Sequence, residues 1–207
     1  MKTVTLSRRA IFAGAAFLFH AGAASAGQSS AGKPAAPEAA ASKPVRYSAT
    51  AANMAVGGGV ALRIAVFRWS SDEDRSKLLS AMKEKGADQI GNELQALPES
   101  GYVWTDESLG YSIHYAYRQA LPNGGERIIV ATDRPLGSWS GHPWAVKSEA
   151  AGSYPFTVIE LLLTSGGKGE GKMSLTSKVA ADEANKTIAL EHAEAAPALL
   201  KNVQRTN

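Results

Sequence analysis

The sequence predicts an α+β fold: an antiparallel sheet of about seven strands, with two short helices packed on one face after the first strand. Three observations carry this. Residues 60–69 alternate with a period of two, residues 71–97 switch to helical spacing, and the apolar runs beyond residue 110 return to strand character.

The first strand begins at Val60, where Leu62, Ile64 and Val66 alternate with Arg63, Ala65 and Phe67, and it ends near Trp69. Ser71 then reads as a helix cap. Asp74 stands three residues on, and Asp72 and Glu73 favour the positive end of the helix dipole. Leu78, Leu79 and Met82 form the stripe to be buried, and Gly86 ends the helix. A second, shorter helix carries Ile90, Leu94 and Leu97 and stops at Pro98.

Tyr111, Ile113, Tyr115 and Tyr117 then alternate with Ser112, His114, Ala116 and Arg118. A Pro-Asn-Gly-Gly turn at residues 122–125 leads into residues 127–132, so the two runs form an antiparallel hairpin. Residues 156–163 are a long apolar run. Met173, Leu175 and Val179 alternate with polar neighbours, and residues 187–192 and 199–203 complete the strands.

The chain divides into three parts. In residues 1–26, Ser7-Arg8-Arg9 precedes an apolar run through Ala23 and the small-x-small site Ala24-Ser25-Ala26, the anatomy of an export signal cleaved near Ala26. The arginine pair resembles a twin-arginine signal, whose translocon carries folded proteins. The apolar run is about 14 residues, and a membrane span needs about 20. Residues 27–59 are rich in Ala, Pro and Gly, with Val45, Tyr47, Met54 and Val56 almost their only sizeable apolar side chains, and read as a flexible tether. Residues 60–207 form a single α+β domain, expected in the periplasm or outside the cell.

Composition narrows the function classes. The signal holds Lys2, Arg8 and Arg9 and no acid, so its removal brings the 22 Lys and Arg down to 19, against 19 Asp and Glu. That balance argues against a nucleic-acid binder. There is no cysteine, which excludes disulfides, thiolate metal sites, iron–sulfur clusters, covalent haem and a cysteine nucleophile. No cofactor is implied.

The motifs that resemble active-site signatures have plainer readings. Residues 166–172 satisfy G-x-x-x-x-G-K, but Met173 stands where a phosphate-binding loop needs Ser or Thr, and no helix follows; this is an exposed hairpin loop. None of the three histidines beyond the signal lies within four residues of another, so no metal site is expected. His114 reads as a half-exposed strand residue and His192 as a solvated strand end. Asp72, Glu73 and Asp74 are a helix start, and Asp106 with Glu107 a turn.

The segment Gly137-Ser138-Trp139-Ser140-Gly141-His142-Pro143-Trp144 has two readings. Trp139, His142 and Trp144 suit a loop that binds a sugar or a flat apolar ligand, or they fold back over one end of the sheet as a clasp. No G-x-S-x-G elbow occurs, and a serine–histidine–acid site would have to come from Ser140, His142 and Asp133.

The runs Phe67-Arg68-Trp69-Ser70, Leu109-Gly110-Tyr111, residues 127–135 and Gly169-Glu170-Gly171-Lys172 resemble a group of uncharacterised exported bacterial proteins over most of residues 60–205. The resemblance implies one exported domain and carries no catalytic residue. The order of strand, helix pair and antiparallel meander is also similar to helix-grip lipid-binding domains, but here residues 199–203 read as a strand where those domains end in a long helix. The reading is therefore a non-enzymatic domain that binds a small apolar or aromatic ligand or a protein partner. The alternative is a hydrolase with a dispersed Ser/His/acid or paired-carboxylate site near His114 or His142.

Overall fold

Eight antiparallel strands close into a barrel in the computed structural model, which describes residues 43–52, 59–106, 110–136, 154–174, 178–191 and 198–206. These residues belong to one compact unit, Ala40–Asn207. In chain order the elements are β1 (Val45–Ala52), β2 (Val60–Val66), α1 (Asp72–Lys85), a 3₁₀ turn (Ala87–Gln89), α2 (Gly91–Ala96), β3 (Gly101–Thr105), β4 (Tyr111–Ala120), β5 (Glu126–Thr132), β6 (Val158–Leu163), β7 (Lys168–Met173), β8 (Val179–Asp182), β9 (Thr187–Leu190) and β10 (Ala198–Thr206). Around the barrel the order is β1-β10-β7-β6-β5-β4-β3-β2, while β8 and β9 pair as a separate ribbon.

The α+β class and the antiparallel pairing agree with the sequence, but the sheet is a closed barrel of eight strands rather than an open one of about seven. Two strands missed by periodicity close it. β1 lies within the stretch read as a tether, and it pairs with both β2 and β10. Its inward residues are Tyr47, Ala49 and Ala51, all buried. Two of the three are alanines, so a composition typical of a linker here lines a narrow lumen. β3 begins at Gly101, where a Cβ would collide with the Ala65 backbone of β2, so only glycine permits that close approach.

Two cores follow from the closure. The first fills the barrel, with every barrel strand contributing a buried residue, from Tyr47, Leu62 and Val103 to Ile128, Ile159 and Leu200. An eight-stranded barrel is just wide enough for side chains to fill it. The second lies outside, where Leu78, Met82 and Leu94 of the helices cover Tyr115, Ile129 and Val158, and Ile188 of the ribbon joins them. β5 and β6 are thus buried on both faces over part of their length, which explains why residues 156–163 read as a continuous apolar run rather than an alternating one.

The helices start and stop where their caps dictate. The Ser71 hydroxyl accepts from the Asp74 N–H and the Asp74 carboxylate accepts from the Ser71 N–H, a complete capping box. Gly86 ends α1 at a φ of 90°, a conformation that glycine adopts without strain. The ribbon is fastened by charge: Arg127 of β5 binds Glu160 of β6 at 2.8 Å and Asp182 of β8 at 2.7 Å, and the Lys172 ammonium donates to the Leu190 carbonyl.

Residues 166–172 are less of a loop than the glycines imply. The turn occupies residues 164–167, with Gly167 at a φ of 71°, and Lys168–Met173 is strand β7, hydrogen-bonded to β6 and β10. A Cβ at Gly169 would run into the Leu162 backbone.

Candidate binding mouth of the barrel

All eight barrel strands send buried side chains into the lumen, which turns attention to its ends. One end holds a hollow of about 420 Å³ lined by Lys43, Pro44, Val45, Arg118 and Arg205. Strand order places these side chains together: Val45 opens β1, Arg205 nearly closes β10, and Arg118 lies on β4 opposite Ile128. Val45 and Trp69 pack against the apolar core below. The Arg118 guanidinium stands over the Trp69 ring, 5.9 Å from its centroid, within range of a cation–π contact.

A β-bulge aims Arg118 here. Ile113 pairs with Thr132 but Tyr115 pairs with Ala131, so His114 is an extra residue on β4. Past the bulge the faces exchange. Tyr115 and Tyr117 turn outward to the helices and ribbon, while Ala116 joins the barrel core and Arg118 follows it at a spacing of two.

Glu126, at the start of β5, is the one carboxylate paired with these cations among the described residues. Its Oε1 accepts from Arg118 and its Oε2 from Arg205. The Arg118 Nε also donates to Oε1 at 2.9 Å. Beneath them lie two polar atoms sealed from solvent and in no well-formed hydrogen bond, the Tyr47 hydroxyl and the Arg205 Nε. Burial pushes the Tyr47 hydroxyl pKa upward, and hydrogen bonding with Arg205 and its charge oppose this only in part.

A second depression, of about 290 Å³, runs along α2 and is lined by Asp88, Gln89, Asn92, Gln95, Asp133 and Pro155. Beside it stands His114, whose Nδ1–H donates to the Leu97 carbonyl at 2.8 Å. Its Nε2 is 3.9 Å from Asp133 Oδ2, and Asp133 is buried and held by the Arg134 guanidinium through two contacts of 3.1 Å. Sequence reasoning named His114 and Asp133 separately, and the fold brings them together.

Trp139, His142 and Trp144, the loop residues singled out from the sequence, lie outside the described residues, as do Ser140, His192 and Glu107. The remaining carboxylates are occupied: Asp72 pairs with Arg75, Glu73 with Lys77, Asp74 with Arg68 and Asp106 with Arg63. The mouth residues were missed because they come from four strands and the segment before β1, far apart in sequence. Their one local signal is the set of arginines at strand ends, Arg118 and Arg205.

Among the described residues no group of three or more His, Asp and Glu is arranged to hold a metal ion, and no helix is long and apolar enough to cross a membrane. No family model, curated protein or solved structure gives a significant match to the chain.

Proposed function

We propose that this chain is an exported, non-enzymatic binding domain whose barrel mouth takes a small molecule with an apolar body. The observation that carries the reading is a lumen lined by buried side chains and ending in an open hollow, which is walled by Val45 and Pro44 and edged by the Arg118 and Arg205 guanidiniums. Small-molecule sites combine an apolar wall with a few convergent polar groups, and the mouths of barrels are a preferred place for them. Export rests on the signal anatomy of residues 1–26, with the domain working in the periplasm or outside the cell after cleavage near Ala26.

The test is calorimetric titration of naphthalene-bodied compounds bearing neutral, anionic and cationic groups. At least one should bind with 1:1 stoichiometry, Val45→Asp should weaken that binding, and Gln95→Ala in the helix-side depression should leave it unchanged. Binding by no member of the panel, or binding lost only with Gln95→Ala, overturns the reading.

A hydrolase is the second reading, and one observation favours it: a histidine on a bulge, its tautomer set by Leu97, beside a buried carboxylate. Turnover of an ester or glycoside that disappears in His114→Ala would select it over the binding domain.

A further inference from the structure

We infer that the ligand of the mouth is an amphipathic organic anion, whose head group competes with Glu126 for Arg118 and Arg205. This rests on the reading of the mouth as the binding site and names its ligand class. Two guanidiniums share one carboxylate, and Lys43 adds a third cation to the lining. Among the described residues no other carboxylate is paired with any of the three, so the mouth carries excess positive charge. Glu126 shows what the arginines are arranged to hold, because each of its oxygens accepts from a different guanidinium. Arginine favours planar, two-point recognition of this kind, which carboxylate, sulfonate and phosphate groups all satisfy.

The buried donors extend the argument. Arg205 Nε and the Tyr47 hydroxyl lie buried against each other behind the contact with Glu126, so the tyrosine braces the guanidinium from below. An incoming anion that takes the place of Glu126 keeps this braced guanidinium charge-paired. The body of the ligand then lies against Val45 and Pro44, while the Trp69 indole backs the Arg118 guanidinium. A cation of the same shape would meet three like charges, and a neutral molecule would gain the wall but not the two-point contact with the guanidiniums.

The experiment compares naphthalene sulfonate, naphthyl methanol and naphthylmethylammonium by calorimetry on the wild-type chain, Glu126→Gln and Arg205→Met. The sulfonate stays ionised throughout, so its own titration does not enter. It should bind at least about tenfold more tightly than the alcohol, and the ammonium least of all. Glu126→Gln removes the resident competitor and should tighten sulfonate binding about tenfold further while leaving the alcohol unchanged. Arg205→Met keeps the packed stem and should abolish the preference for the anion. Should Glu126→Gln fail to fold, the Arg205→Met comparison decides alone.

Equal affinity for all three probes overturns the anion assignment and leaves the binding mouth standing. An anion preference that Glu126→Gln does not strengthen overturns the competition. Absence of binding by every probe overturns both this inference and the function on which it rests.

Discussion

Tyr47 of β1 and Arg205 of β10 oppose each other directly across one antiparallel rung, with the guanidinium 5.9 Å from the tyrosine ring centroid. The contact joins the first and last strands of the barrel, so it closes the fold and forms the floor of the mouth at once. It also buries the tyrosine hydroxyl and the arginine Nε beside each other, in no well-formed hydrogen bond.

That relationship makes an unusual prediction for Tyr47→Phe. Removing a buried hydroxyl with a well-formed hydrogen bond normally costs about 1 kcal/mol, but the contact of this one with Arg205 is poorly aligned. Chemical denaturation should find the variant at least as stable as wild type, within about 0.5 kcal/mol. A loss above that range would mean that the hydroxyl has a partner in solution.

The second prediction concerns the start of the barrel. A chain lacking residues 43–59 loses β1, so β2 and β10 gain open edges and Tyr47 leaves the core. It should show no cooperative thermal transition. In the intact chain, Tyr47→Ala should lower the unfolding free energy by about 3–5 kcal/mol, the cost of truncating a buried aromatic. A cooperative transition at wild-type temperature in the shortened chain would return β1 to the role of tether.

The third prediction is a pH profile. Burial pushes the Asp182 carboxyl upward, but hydrogen bonds from Arg127 and Asn185 more than reverse this and hold it below its ordinary value. A depressed folded pKa contributes stability that is complete above the unfolded value of 3.8 and disappears as pH falls through the folded one. Asp182→Asn should therefore cost about 1–3 kcal/mol at neutral pH and converge on wild type in strong acid. At the alkaline end, burial raises Tyr115 from 10.0 to about 12, despite the hydrogen bond with Thr187. That contribution is complete below pH 10 and is lost as pH rises through 12, so Tyr115→Phe should flatten this part of the curve. Denaturation midpoints across the pH range check both limbs; parallel curves for variant and wild type would refute the assignments.

Export supplies the fourth. With Arg8→Lys and Arg9→Lys the leader keeps its charge but loses its guanidiniums. Fractionation should then find the chain retained inside the cell, whereas normal export would remove the twin-arginine route and leave the export proposal intact.

Much of this fold was legible because local chemistry and tertiary packing agree. The capping box of Ser71 and Asp74, the stop at Gly86 and the hairpin turn before β5 all appear where the sequence places them. Barrel closure was not legible. β1 carries alanines where a wider sheet would need larger side chains, and β3 depends on a glycine whose role is a close backbone approach. The bulge at His114 was hidden for a different reason. Strict alternation over residues 111–118 assigns all four aromatic and aliphatic residues to one face, yet one extra residue sends Tyr115 and Tyr117 outward and Arg118 toward the mouth. The mouth itself has no sequence motif, because Lys43, Arg118, Glu126 and Arg205 converge only when the first and last strands pair.

The most direct test of the binding mouth is a titration of the ¹⁵N-labelled chain with naphthalene sulfonate, followed by backbone amide shifts. Saturable changes should centre on Val45, Tyr47, Trp69, Arg118, Glu126 and Arg205, with Gln89 of the 3₁₀ turn and Asn92 and Gln95 of α2 unmoved. Changes centred on α2 and Asp133, or none at saturating probe, would contradict the account.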